Sequence, residues 1–171
     1  GLSRRPRAMS SAGTEARAWL GQTVAHMGLF PAQVGSYHMA PFTLCSPLVG
    51  MAEGALEEFT GKLRGKTGSG RTAGSVALLI RIAESAAEAD PARLLVSTTT
   101  RDLIARASRG EFPDELTQAA TKRRFSYVAK LCVQSVNRLF EASGGHSLFE
   151  SEAMQRFHRD VHAGSHQAAL Y

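Results

Sequence analysis

Cysteine is scarce in this sequence, and long apolar runs are missing from it. Its two cysteines, Cys45 and Cys132, each lie inside an apolar helical pattern. Two isolated thiols in such patterns predict buried free cysteines in a reducing compartment, the cytoplasm, and argue against a disulfide framework. No apolar run reaches the roughly 20 residues that a membrane-spanning helix needs. We therefore expect neither a transmembrane segment nor a membrane partner.

Acidic residues are in the minority, which raises the question of a nucleic-acid partner. The chain has 20 Lys and Arg residues against 15 Asp and Glu residues, for a net charge of +5. Several arginines lie between Arg4 and Arg17, and most other basic residues alternate with acids along predicted helices. The compact basic cluster at 122–124 is typical of a solvated helix face. We expect no nucleic-acid partner.

Strand patterns are also missing, because no period-two run flanked by hairpin turns occurs. Residues 1–38, rich in Gly, Ser, Pro and Arg, predict an irregular arm or the remnant of a preceding domain, and residues 39–171 predict a helical domain. Apolar residues recur at three- and four-residue steps in four segments, which begin near residues 41, 72, 114 and 147. Long amphipathic segments with short connections predict an all-α, antiparallel four-helix bundle.

Two of these segments carry more detailed predictions. Pro91 either kinks the second helix, or Asp90 caps a second piece that has proline at its first position. Ser147 and Glu150 have capping-box spacing for the fourth helix, with Ser151 as an alternative cap. The predicted core face of the second segment consists of Val76, Leu79, Ile80, Ala83, Leu94, Leu95 and Leu103.

Three histidines, His158, His162 and His166, lie four residues apart and form one row on the last predicted helix. A metal site would need a further ligand, and three ligands along one straight helix converge poorly on one ion. We therefore predict no metal site. We expect one or two of these histidines to face a pocket and the remainder to be exposed.

Three stretches resemble one enzyme family. Residues 47–59 (PLVGMAEGALEEF) and 82–96 (IAESAAEADPARLLV) are similar to the first two helices of its C-terminal domain, and residues 139–170 are similar to its last part. The family is the two-component, flavin-dependent monooxygenases built on the acyl-CoA dehydrogenase fold. The resemblance covers about residues 38–171, in the right order.

This resemblance implies an enzyme activity. In such proteins a separate flavin reductase supplies reduced flavin, FMN or FAD, by diffusion. The oxygenase component then hydroxylates a small aromatic or sulfur-containing molecule through a flavin hydroperoxide. The resemblance also implies a homo-oligomer, a dimer or a tetramer, and further domains that precede this one. We expect the chain by itself to be an inactive fragment that does not retain flavin.

The resemblance also implies a cofactor-binding turn and a structural ion pair. Gly144 and Gly145 match a turn that approaches the flavin of a neighbouring subunit, and glycine suits that position because its backbone can come close to a ligand. Arg159 and Asp160 match an Arg-Asp pair near the start of the last helix. We expect this pair to form a salt bridge that orients the helix.

A histidine after the Arg-Asp pair faces the flavin and the substrate in several members of the family. An imidazole there can hydrogen-bond the reacting groups and exchange protons near neutral pH. His166 is the first candidate for this role, and His162 is the second. Both are therefore predicted catalytic residues.

Two alternative functions are weighed against this one. An acyl-CoA dehydrogenase needs a carboxylate base, and neither residues 28–52 nor residues 161–171 contain Asp or Glu. Since both positions of that base in the dehydrogenases lack a carboxylate, the monooxygenase is favoured. The other alternative is a non-catalytic helical module for binding or assembly, which a continuous basic face would favour.

Overall fold

Four helices make up the part of the chain that the computed structural model describes, residues 36–66, 76–167 and 170. They are α1 (Ser36–Lys66), α2 (Val76–Ser108), α3 (Glu115–Ala142) and α4 (Ala153–Ser165), and a short 3₁₀ turn (Gly145–Leu148) precedes α4. No strand occurs within these residues, so the all-α prediction is confirmed. The arm predicted for residues 1–38 lies, up to residue 35, outside the described residues. None of the described helices is long and apolar enough to cross a membrane.

The four helices alternate in direction. In three pairs of neighbouring helices, residue numbers rise along one helix as they fall along the other. The pairs are α2 with α3, α3 with α4, and α1 with α4. The contacts that establish this are Arg81–Glu141 and Ser85–Ser135, Asn137–His162 and Phe140–His158, and Leu48–Gly164, Gly54–Phe157 and Lys62–Glu152. Because α2 and α4 both run opposite to α3, and α1 runs opposite to α4, the predicted antiparallel four-helix bundle is confirmed.

The core is centred on α1 and α3. Phe42, Leu48 and Phe125 are among its largest fully buried side chains. Cys45 and Cys132 are buried free thiols, as predicted. The Cys45 thiol donates to the Phe125 carbonyl over 3.3 Å. Burial raises the pKa of Cys45 to about 12 and also raises the pKa of Cys132. Both therefore pack as small apolar side chains rather than as reactive thiolates.

The predicted core face of α2 is wrong. Val76, Leu79, Ile80 and Leu94 are 69%, 55%, 51% and 60% exposed. The buried face instead consists of small residues, which are Ser85, Ala89, Ala92, Val96, Thr99 and Thr100. Small side chains let α2 approach its neighbours closely. The sequence pattern predicted the most apolar face as the buried one, because it takes no account of side-chain size. As a result, α2 has an exposed apolar face that consists of Val76, Leu79, Ile80 and Leu94.

Polar contacts join the buried face of α2 to α3. The hydroxyls of Ser85 and Ser135 each donate to the other residue's backbone carbonyl, over 3.3 and 3.0 Å. One turn away, the Arg138 guanidinium forms a two-pronged pair with Glu88, one contact of which is 2.8 Å. Pro91 lies inside α2, which is one continuous helix. Of the two alternatives at this proline, separate helical pieces are therefore not observed.

The connection between α3 and α4 differs from its prediction. Glu152 is the N-terminal cap residue of α4, and its side chain makes no capping bond. Ser147 is buried in the 3₁₀ turn, where its hydroxyl donates to the Gly144 carbonyl over 2.6 Å. The capping-box prediction is wrong because Ser147 stabilises this preceding turn. The helix also ends at Ser165, before the predicted end, and Leu170 is buried in a separate turn.

Candidate functional site

Helix α4 is held against α1 by two close approaches. A Cβ atom added at Gly54 would lie 3.0 Å from the Phe157 ring, and one added at Gly164 would lie 2.9 Å from Leu48. Glycine at these positions therefore sets the distance between the two helices. Met154 and Val161 of α4 are buried, whereas its histidines lie nearer the rim. This packing turns the histidine row towards the edge of the bundle.

The histidine row, His158, His162 and His166, begins against an aromatic ring of α3. The rings of His158 and Phe140 stack with centroids 4.1 Å apart. Successive histidine rings then follow at 4.7 and 6.4 Å. Burial, with a smaller contribution from His162, lowers the pKa of His158. His158 is therefore disposed to stay neutral beside His162 near neutral pH.

His162 is anchored from another helix. Its ring is half-buried, and its Nε2 atom lies 2.8 Å from Oδ1 of Asn137 on α3. Because a side-chain carbonyl oxygen only accepts hydrogen bonds, Nε2 carries the proton in this contact. The other ring nitrogen, Nδ1, is then the proton acceptor of the neutral imidazole.

His166 is anchored within its own helix. It is the exposed residue that follows the last turn of α4, and its Nδ1 atom donates to the His162 backbone carbonyl over 2.7 Å. A backbone carbonyl accepts only, so Nδ1 carries the proton and Nε2 is the acceptor of the neutral ring. The two predicted catalytic histidines are therefore held through opposite nitrogens. Among the described residues, no group of three or more histidines, cysteines or carboxylates is arranged to hold a metal ion.

The glycine turn precedes α4. Gly144 has a φ of 73° and a ψ of −171°, a backbone conformation that only glycine adopts readily. Within the described part of the chain, no atom lies within 4 Å of a Cβ added at Gly144 or Gly145, and both residues are exposed. Exposed Leu148 and Phe149 follow the glycines. The turn is therefore open to a group that approaches from outside the chain.

The glycine turn and His166 lie near opposite ends of α4. This helix has 13 residues, so it separates them by about 20 Å at 1.5 Å per residue. One copy of the chain does not bring the glycines and His166 together. The separation is compatible with the prediction that Gly144 and Gly145 line the flavin site of a neighbouring subunit. The histidines would then face a different flavin.

Arg159 and Asp160 form an ion pair of 2.9 Å on the surface of α4. The two residues are adjacent in sequence, and exposed ion pairs contribute little to stability because water and salt screen them. The salt bridge is present, while its role in orienting the helix stays a prediction.

Two residues of this site were missed by the sequence analysis. Asn137 and Phe140, both on α3, contact His162 and His158. A signal was available for Asn137, which is a polar residue directly after buried Val136 and two residues before buried Leu139. A half-buried amide at such a position needs a hydrogen-bond partner, although the sequence does not say which one.

Comparisons with known proteins support the predicted family. The sequence profile of the family described as "Acyl-CoA dehydrogenase, C-terminal domain" matches residues 42–170. The oxygenase subunit HsaA of a flavin-dependent monooxygenase from Mycobacterium tuberculosis is 36% identical over 137 residues, which cover 77% of this chain and 34% of that protein. The oxygenase component of p-hydroxyphenylacetate 3-hydroxylase from Acinetobacter baumannii is 32% identical over 128 residues, which cover 72% of this chain and 30% of that protein.

A solved structure supports the same similarity. The crystal structure of 3-HSA hydroxylase from Rhodococcus sp. RHA1 superposes with a TM-score of 0.71 at 30% identity, over 79% of this chain and 35% of that chain. The chain spans about a third of the length of the curated relatives that it matches. These matches confirm the predicted resemblance and favour it over the dehydrogenase and binding-module alternatives.

Proposed function

Because this chain belongs to the acyl-CoA dehydrogenase C-terminal domain family, we propose that it forms the C-terminal bundle of the oxygenase component of a flavin-dependent monooxygenase. The observation that carries the proposal is the similarity to two curated oxygenase subunits over nearly the whole helical domain. Their names as a subunit and a component imply a separate partner, which we propose is a flavin reductase. A p-hydroxyphenylacetate hydroxylase acts on a phenol, and we propose a small aromatic substrate for this protein too.

The proposed cofactor is reduced flavin, either FMN or FAD. When bound, reduced flavin activates molecular oxygen so that one oxygen atom can be inserted into the substrate. The exposed turn at Gly144 and Gly145 fits such a group, because open space surrounds both glycines and their backbone can be approached closely. We propose that this turn lines the flavin site of a neighbouring subunit.

His166 is the proposed proton-exchanging residue. Its Nδ1 atom is held by a backbone carbonyl, and the acceptor Nε2 belongs to an exposed ring. This arrangement suits a group that takes the hydroxyl proton of a phenol, because the ring is oriented at one nitrogen and accepts at the other. His162 is the second candidate, with its Nδ1 atom as the acceptor.

Self-association follows from the exposed apolar face of α2. Val76, Leu79 and Ile80 place three large exposed apolar side chains within two turns of α2, and Leu94 is exposed on the same helix about 20 Å further along. Exposed clusters of large apolar side chains mark interaction sites. We propose that this face is covered in a dimer or tetramer of the full protein. Light scattering that showed only monomers of the full protein at high concentration would contradict this.

The test of the reaction uses the natural gene product that contains this chain. It is supplied with a reductase, FMN or FAD, oxygen and a panel of phenols, and the hydroxylated product is measured. We expect His166→Ala to lower hydroxylation by about 100-fold or more, the usual contribution of a general base, with little change in reduced-flavin binding. Gln134→Ala, an exposed change on α3, is the control. Unchanged hydroxylation in both His166→Ala and His162→Ala would refute the catalytic assignment.

The cofactor assignment has a separate test. Gly144→Ala strains a positive-φ turn, so it lowers both stability and flavin binding. Gly145→Ala places a methyl group in open space without a positive φ. We expect it to leave the melting temperature of the full protein nearly unchanged and to weaken reduced-flavin binding. Equal flavin binding in Gly145→Ala and the parent protein would count against the turn as a cofactor site.

A further inference from the structure

A polar contact crosses the interface between α3 and α4. Oδ1 of Asn137 and Nε2 of His162 lie 2.8 Å apart, and both side chains are half-buried. Other polar contacts between the described helices include the surface ion pairs Arg81–Glu141 and Arg93–Glu53. A single amide facing a single imidazole is well suited to fix the orientation of the ring.

The contact also connects to His166. The backbone carbonyl of His162 accepts from the Nδ1 atom of His166 over 2.7 Å and from the Ser165 hydroxyl over 3.0 Å. His162 is therefore held by α3 through its side chain, and it holds the end of α4 through its carbonyl. A residue that fixes His162 thereby also fixes the acceptor that orients His166.

We propose that Asn137 is a positioning residue for the histidine row. Its Oδ1 atom accepts from Nε2–H of His162, which keeps Nδ1 of His162 unprotonated in the neutral ring and steadies the last turn of α4, where His166 is bound. The relevance of this contact to the reaction rests on the function proposed above. The hydrogen bond itself belongs to this chain alone and needs no flavin, so it can be tested separately.

The first test is nitrogen-15 NMR of the histidine side chains in the whole 171-residue chain. His162→Gln assigns the resonances of His162 by their disappearance. In the parent chain we expect the neutral ring of His162 to carry its proton on Nε2, with an N–H resonance that is protected from solvent exchange. In Asn137→Leu this resonance should be lost to exchange. Gln134→Leu, the same kind of change at an exposed position of α3, should leave it unchanged.

A second variant makes the result decisive even if Asn137→Leu fails to fold. Asn137→Asp replaces the amide by a group that can only accept hydrogen bonds. If Oδ1 faces His162, the aspartate variant keeps the proton on Nε2. If the amide nitrogen faced His162 instead, the parent ring would be protonated at Nδ1 and the aspartate variant would move the proton to Nε2. That move, or a protected Nε2–H resonance in folded Asn137→Leu, would overturn the proposal.

A third measurement connects the contact to the reaction in the full protein. We expect Asn137→Leu to lower the hydroxylation rate by about 10-fold or more, as is usual when the partner that orients a functional histidine is removed. Asn137→Asp should restore part of the rate, and reduced-flavin binding should stay the same in both. Unchanged hydroxylation in a folded Asn137→Leu protein that has lost the NMR signature would overturn the positioning role. Failure of the proposed function is recognised separately, because the parent protein would then form no hydroxylated product from any phenol of the panel.

Discussion

Replacing Gly54 by alanine tests how closely α1 and α4 approach. Gly50, one turn earlier on α1, is the matched control, because no described atom lies within 4 Å of a Cβ added there. Alanine is more favourable than glycine inside a helix by about 1 kcal/mol. Gly50→Ala should therefore stabilise the chain by up to about 1 kcal/mol, which raises its melting temperature by about 2–4 °C.

At Gly54 the same gain is opposed by packing. The new methyl carbon would lie 3.0 Å from two carbons of the Phe157 ring, against a preferred carbon–carbon separation of about 3.5–4.0 Å. Overpacking of this kind costs about 1–3 kcal/mol, so the net effect ranges from neutral to a destabilisation of about 2 kcal/mol. The two variants should then differ by about 1–3 kcal/mol, with Gly54→Ala the less stable.

Thermal and urea unfolding, followed by far-ultraviolet circular dichroism, measure this difference. Phe157→Leu removes the opposing ring, so Gly54→Ala in that background should recover the gain expected at Gly50, as in a double-mutant cycle. Equal stabilisation by Gly50→Ala and Gly54→Ala in the parent background would refute the reasoning. It would mean that α1 and α4 lie farther apart than the structure places them.

Three further predictions concern buried and half-buried groups. Thr99 has a buried hydroxyl without a hydrogen-bond partner among the described residues, so Thr99→Val should raise the unfolding free energy by about 1 kcal/mol in urea titrations; a loss of stability would contradict this. Because burial lowers the pKa of His158, the unfolded chain binds more protons in acid, and the unfolding free energy should fall as the pH drops below about 6.5. That fall should be smaller in His158→Gln. Urea titrations at a series of pH values measure it, and an equal dependence of the unfolding free energy on pH in His158→Gln and in the parent chain would contradict this prediction. Since burial raises the pKa of Cys45 to about 12, iodoacetamide should label this thiol only as the chain unfolds; rapid labelling of folded protein, seen by mass spectrometry, would disprove its burial.

Helical periodicity was sufficient to predict the class of the fold. Four apolar patterns separated by glycine-rich breaks predicted four helices, and the patterns around Cys45 and Cys132 predicted buried thiols. Such features depend on residues close in sequence, whose spacing decides which side chains share a face. The start of α3 also depends on residues close in sequence, because the Asp114 side chain caps the helix by accepting from the Thr117 backbone N–H over 2.8 Å.

The inner face of α2 could not be predicted in the same way. Hydropathy favours Val76 and Leu94 as core residues, yet the helix buries Ser85 and Ala89. Burial there depends on how near α3 can come and on the reciprocal bonds of Ser85 with Ser135, which are 50 residues apart. A pattern within one helix contains no information about the size of the space beside it.

The candidate site, too, could be predicted from the sequence only in part. Spacing alone placed His158, His162 and His166 on one helix face, because they are four residues apart. Their roles as anchored or exposed rings depend on Asn137 and on the end of α4, neither of which follows from spacing. Asn137 lies 25 residues from His162 in sequence, on a different helix. Only the packed bundle shows which polar residue of α3 meets which histidine.

The pairing of α1 with α4 has a kinetic consequence. Lys62 and Glu152, at this pairing, are 90 residues apart, against 50 for Ser85 and Ser135 and 25 for Asn137 and His162. Closing a longer loop costs more chain entropy, so we expect the α3–α4 hairpin to form before α1 pairs with α4. Contacts that form after the folding barrier govern the rate of unfolding and leave the rate of folding almost unchanged. We therefore expect substitutions between α1 and α4, the helix that carries the histidine row, to change the rate of unfolding more than the rate of folding.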